Sequence, residues 1–145
     1  MTMPVQDNEQ LLRYRRLLRD QLDEVVELAR QTMRESSNPY ITKAQLGNVI
    51  AVVQESGSVP VVTGFIQYQM GRSRSPWIEQ GTPREGWLGN TIIAHIENEL
   101  ADLARRIADA AQVPRRQAHI DLVGLYLGYL RRAFIAQSGA RRGER

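Results

Sequence analysis

The chain has 145 residues, 42% hydrophobic and 24% charged, a composition that fits one soluble globular domain with a single core. Cysteine is absent, which excludes a disulfide framework and a thiolate metal site and fits a reducing compartment, so a cytoplasmic location is expected. The formal charge is only +3, yet the cations are eighteen arginines and the single lysine Lys43; arginine's planar fork of donors suits phosphate, although a GC-rich coding sequence would give the same bias.

The opening residues MTMPVQDNEQ contain no apolar signal region, and the longest purely apolar run, Val49 to Val53, is too short to cross a bilayer. A soluble protein without a membrane partner is expected. From Asp7 to Ser36 there is no glycine or proline, and Leu11, Leu18, Leu22, Val25, Ala29 and Met33 recur at near-heptad spacing, which predicts one long amphipathic first helix. That seam is longer than the chain's own bundle needs, so a homo-oligomer is expected. Arg13, Arg15, Arg16 and Arg19 come early and Asp23, Glu24 and Glu27 later, against the preference of the helix dipole. A phosphate contact would explain the placement, as would a solvated face with pairs such as Arg19 and Asp23.

Ser37-Asn38-Pro39 reads as a break. Thr42 and Gln45 then form a capping box, and Leu46, Val49, Ile50 and Val53 trace one helical face from about Lys43. Ser56-Gly57 ends that helix, and Ser58 with Pro60 starts the next, whose apolar face is Val62, Phe65, Ile66 and Met70. The pair is a tight helical hairpin. Ser73 to Gly81 is an irregular loop in which Trp77 is expected to be pinned to the core. Thr82-Pro83-Arg84-Glu85 resembles a second capping box and predicts a helix from Pro83 to about Gln112, with Leu88, Ile92, His95 or Ile96, Leu100, Leu103 and Ile107 inward.

Gly86 and Gly89 each cost that helix about 1 kcal/mol relative to alanine, which points to close backbone approach by another element. After Pro114 a last helix carries Ile120, Val123, Tyr126 or Leu127, Leu130 and Phe134 to the core, while Gly124 and Gly128 leave a groove for another helix. Beyond Ser138 the apolar residues stop. The expected architecture is therefore all-α: a single-domain bundle of about five helices with a long first helix over residues 1–137, and a disordered tail over 138–145.

Catalytic chemistry finds little footing. His95 with Glu99, and His119 with Asp121, outline a two-histidine, two-carboxylate metal site, but the chain lacks the Glu-x-x-His pairs of a bundle metal centre. There is no glycine-rich phosphate loop, nucleophile elbow or HExxH, so no metal, no cofactor and no enzyme are expected. The candidate site residues are cations: Lys43, Arg72 and Arg74 around the central hairpin, then the doublets Arg105-Arg106, Arg115-Arg116 and Arg131-Arg132. Together they suit a clamp that holds nucleic-acid backbone without reading bases. A helix-turn-helix DNA regulator is the main alternative, although Val59, Pro60, Val61 and Val62 offer no donors to base edges. A helical adaptor or scaffold without nucleic acid is the other.

Three short motifs, Ile41-Thr42 with Gln45-Leu46, Tyr68 with Gly71-Arg72, and the apolar run from Ile120 to Tyr129, stand in an order that resembles the small helical subunit of type III-A CRISPR effector complexes. The likeness spans about two thirds of the chain. Gly47 departs from it, standing where that family usually has arginine, and the first helix is longer. The resemblance implies a non-catalytic, RNA-binding small subunit of an antiviral ribonucleoprotein, stacking in copies along guide and target RNA beside other effector-complex subunits.

Overall fold

The computed structural model describes the backbone of residues 5–36 and 40–143, and side-chain environments from 8 to 139 within those spans. Ser37-Asn38-Pro39, read above as a break, lies outside the described residues. Among the described residues the regular structure is entirely helical: α1 (Val5–Asp20), α2 (Leu22–Glu35), α3 (Lys43–Ser56), α4 (Val59–Gly71), α5 (Leu88–His95), α6 (Ala101–Ala111) and α7 (Arg115–Gly143). No described helix is long and apolar enough to cross a membrane.

The helical hairpin follows its local signals. The Thr42 N–H donates to Gln45 Oε1 at 2.8 Å and the Gln45 N–H returns to Thr42 Oγ1 at 3.4 Å, closing the capping box. Gly57 ends α3 in the left-handed region at φ 58°, and Ser58 Oγ accepts from the Val61 N–H at 3.4 Å to start α4. Trp77 is buried as expected, with its N–H donating to Ser75 Oγ at 3.1 Å while that hydroxyl bonds the Gln69 carbonyl.

The long helices expected over 7–36 and 83–112 are each divided. The first breaks at Gln21 (φ −102°, ψ 5°), after which Asp23 and Glu24 suit the new N-terminus. The break lets two halves serve two partners: α1 packs on α6, and α2 makes its most extensive contacts with α7. Among the described side chains of α1, Tyr14, not Leu11, is the buried one; Leu11 and Leu12 are 40% and 60% exposed, so the near-heptad seam does not continue through α1. The second break has two parts. Residues Arg84–Gly86 form only a 3-10 turn, because the Trp87 indole N–H claims the Thr82 carbonyl at 3.1 Å and Trp87 itself is extended, so α5 begins at Leu88. Between α5 and α6 the helix widens into a π turn over Ile96–Leu100.

The last helix is the axis of the bundle. An added Cβ at Gly124 would lie 3.4 Å from Val53, and one at Gly47 would lie 3.6 Å from Arg131 Nε, so α3 runs antiparallel to α7 and enters the expected groove at Gly124, whereas a Cβ at Gly128 would meet nothing within 4 Å. Gly89 makes the closest approach: a Cβ there would meet Met70 Sδ at 2.6 Å and Ile66 Cγ2 at 3.0 Å, which brings α5 against α4. The backbone of α7 stays helical to Gly143, beyond Ser138, where the apolar pattern stops.

Candidate nucleic-acid interface

The expected cations lie at the open ends of the α3–α4 hairpin and at the corner between α6 and α7. At the start of α3, Lys43 is exposed and its carbonyl accepts from Arg131 Nε at 3.0 Å, so the residue beside Lys43 comes from α7. Arg132, on the next position, turns away and stacks 5.3 Å from the Tyr129 ring centroid. At the far end of α4, Arg72 is extended (φ −72°, ψ 147°) and donates to the Gln69 side chain at 3.2 Å. Arg74 is exposed, with a left-handed backbone at φ 55°.

At the corner, α6 turns into α7. Gln112, left-handed at φ 58°, ends α6, and α1 straps the corner: Gln10 Nε2 donates to the Ala111 carbonyl at 3.2 Å and the Tyr14 hydroxyl to Asp121 Oδ2 at 2.6 Å. Burial, that hydrogen bond and the Asp121 charge together push the Tyr14 phenol well above its ordinary range. The corner also carries a shallow, open cleft of about 550 Å³ lined by Arg105, Arg115, Arg116 and His119 with Glu97 and Asp102. Arg105 lines this cleft and pairs with Asp102, whose carboxyl it holds below the usual range; Arg106 shares that carboxylate at 3.6 Å and also reaches Glu24 of α2 at 3.8 Å. Arg115 faces Asp109 at 3.4 Å, and Arg116 makes no ion pair among the described residues.

The π turn forms one wall of that cleft, and two histidines flank it. His119 Nε2 donates to the Ile96 carbonyl at 2.8 Å, tying α7 to the turn. His95, only 6% exposed, belongs to a buried knot with Thr32 of α2 and Tyr126 of α7. The Thr32 hydroxyl lies 2.9 Å from the Leu28 carbonyl, 2.6 Å from the Tyr126 hydroxyl and 2.8 Å from His95 Nδ1, and the last two are themselves 3.3 Å apart. The other nitrogen, Nε2, faces Glu35 and Glu99 at 3.7 and 3.8 Å, contacts that are ion pairs only when the ring is protonated. Burial pushes the Tyr126 phenol up, reinforced by the two carboxylates. Among the described residues no group of three or more His, Asp or Glu side chains is arranged to hold a metal ion.

Sequence reading missed the convergence of Arg105 with Arg115 and Arg116, and the role of His119 in the wall beside them. Four further arginines of α1, Arg13, Arg15, Arg16 and Arg19, are exposed and make no ion pair among the described residues. No protein-family model matches the chain, and neither the curated proteins nor the solved structures contain a match.

Proposed function

We propose that this chain is a non-catalytic RNA-binding subunit that holds nucleic-acid backbone through arginine, with the small subunit of a type III CRISPR effector complex as the specific assignment. The observation that carries the binding reading is the cleft at the α6–α7 corner, where Arg105, Arg115 and Arg116 converge with His119. Arg116 makes no ion pair among the described residues, and its place in the first turn of the long helix α7 puts it at the positive end of that helix's dipole, which favours an anion. Asp102 and Asp109 hold Arg105 and Arg115 in place, and a phosphate entering the cleft exchanges with those carboxylates. Contacts of this kind fix position and read no bases.

The CRISPR assignment rests on the resemblance alone. It makes guide and target RNA and the other effector subunits the partners, copies of the same chain the neighbours, and the cytoplasm the location. A helix-turn-helix regulator is less well supported, because Val59 and Val62 in the first turn of α4 are buried and the exposed Pro60 and Val61 carry no side-chain donor.

Fluorescence anisotropy with labelled single-stranded RNA and RNA duplex, across a salt series, tests the reading. Affinity should fall with salt by a log–log slope of roughly 0.7 to 0.9 per phosphate contact. Arg116→Gln should weaken binding several-fold and make the slope shallower by about one contact, whereas Arg34→Gln, paired with Glu27 on α2, should change neither. Salt-independent binding, or tight recognition of one palindromic DNA site, would overturn it.

A further inference from the structure

The residues from Leu17 to Val25, LLRDQLDEV, include no glycine or proline, and nothing in them ends a helix. The chain nonetheless bends at Gln21, whose φ of −102° and ψ of 5° leave the helical region, and the N-terminus of α2 that results has no side-chain cap. The first N–H groups of a helix lack intrahelical partners, so the bend gives up backbone bonds that a straight helix would make. The docking of α1 offsets that loss, and it rests on elements other than α2. Helix α1 packs on α6 and little on α2. The Gln10 amide bonds the Ala111 and Gln112 carbonyls, and the Tyr14 hydroxyl bonds Asp121 and lies 3.5 Å from the Gln117 carbonyl.

We infer that α1 is an exchangeable arm: Gln21 straightens, α1 and α2 join in one continuous helix, and the α1 of each copy docks on the α6–α7 corner of a second copy. The corner itself identifies the occupant, because in the single chain it already holds α1. The bonds from Tyr14 to Asp121 and from Gln10 to Ala111 do not depend on which α2 the arm is joined to, so they form equally well between two copies. Exchange therefore leaves the docking unchanged and adds, at each of two bends, the helical bonds that Gln21 interrupts. Opposing it is the entropy of bringing two chains together, which makes the exchange depend on concentration. The straight helix from Val5 to Glu35 is about 46 Å long at 1.5 Å per residue, and it directs α1 along the axis of α2, away from its own corner. The near-heptad row of Leu11, Leu18, Leu22 and Val25, which the bend interrupts, becomes continuous. Each copy gives and receives the same element, so the contact is isologous and closes at two copies. The inference stands on α1 and does not require the RNA reading.

The absence of cysteine makes the test direct, since any engineered thiol is the sole site of cross-linking. The full chain without RNA is incubated at submillimolar concentration just below its melting temperature, cooled and sedimented. The wild type should form a dimer that persists on dilution, because reversal requires α1 to undock. Chains carrying Gln10→Cys, mixed before incubation with chains carrying Gln112→Cys, should be joined by a short bis-maleimide in the dimer fraction. The double variant, kept as a dilute monomer, should cross-link within one chain, which sets the reach of the reagent. The bond from Tyr14 to Asp121 remains available in all of these variants. Gln21→Gly, which tolerates the bend and weakens the straight helix at both hinges, should raise the concentration needed for the dimer roughly tenfold. A wild type that stays monomeric after incubation, a dimer whose mixed chains do not cross-link, or a Gln21→Gly variant that dimerises as readily as the wild type would each overturn the inference.

Discussion

The α3–α4 hairpin and the α5–α6 rod were both announced in the sequence by a capping box, and only the first obeys it. In the hairpin, Thr42, Gln45, Gly57 and Ser58 act through bonds to backbone groups within a few residues, and no distant side chain competes for them. In the rod, Thr82 to Glu85 offer the same letters, yet the Trp87 indole takes the Thr82 carbonyl and α4 presses on Gly89, so the start moves to Leu88. Farther along, His119 bonds the Ile96 carbonyl at the π turn, and Thr32 and Tyr126 engage His95 just before it. Local capping therefore decides a helix end where tertiary contacts are few, and loses where a neighbouring element claims the same atoms.

The largest effect expected from breaking this difference lies in the knot. Thr32→Val removes the one hydroxyl that bonds the Leu28 carbonyl, the Tyr126 hydroxyl and the His95 ring, leaving those two buried groups only their longer 3.3 Å contact with each other. The cost should be about 2 to 3 kcal/mol, read as the shift in urea midpoint times the unchanged m-value. A loss no larger than that of an exposed threonine would mean the knot does not hold the π turn.

The same knot predicts an alkaline limit. Phenols in the unfolded chain lose their protons near pH 10, whereas Tyr14 and Tyr126 keep theirs higher in the folded state. Unfolding above about pH 10 therefore releases protons, and stability is full below that pH and falls as pH rises through it. Melting curves between about pH 8 and 11 should be flat, then drop, and Tyr126→Phe should make the drop shallower. A Tyr126→Phe profile with an unchanged slope would remove Tyr126 from this account.

Next in size is Gly89→Ala. The methyl would overlap Met70 Sδ, which can move, and Ile66 Cγ2, a branched side chain with less freedom. Even after the gain in helix propensity, a net loss of about 1 to 2 kcal/mol is expected in the denaturant midpoint. For the hairpin, Thr42→Ala should cost about 1 kcal/mol, the usual value of one N-cap, because nothing beyond Gln45 depends on it. A much larger loss at Thr42 would show that the hairpin, too, is held from outside.

This contrast explains what the sequence made legible. The all-helical class, the core residues Leu46, Val49, Val62, Ile92 and Leu130, and the pinning of Trp77 follow from periodicity and composition, and the structure buries each of them. His95 and Ile96 were alternatives for one inward position, and both are inward, because a π turn has no local signature that periodicity detects. The break at Gln21 has none either: no glycine or proline marks it, and the cause is that α1 and α2 pack on different helices. For the candidate site, the residue types were legible and the groupings were not. Arg131 beside Lys43, and Arg105 beside Arg115 and Arg116, are products of how α3, α6 and α7 cross.

The smallest expected effect has the opposite sign and isolates the comparison most cleanly. Gly64 and Gly89 are both helical, but a Cβ at Gly64 meets nothing within 4 Å, while one at Gly89 meets α4 side chains. Alanine at Gly64 then gains only its helical propensity, about 0.5 to 1 kcal/mol, chiefly by restricting the unfolded chain. One substitution, glycine to alanine, should stabilise at one position and destabilise at the other. Should both variants rise in stability, α5 does not press on α4 as closely as described; should both fall, the outer face of α4 is already occupied within the monomer.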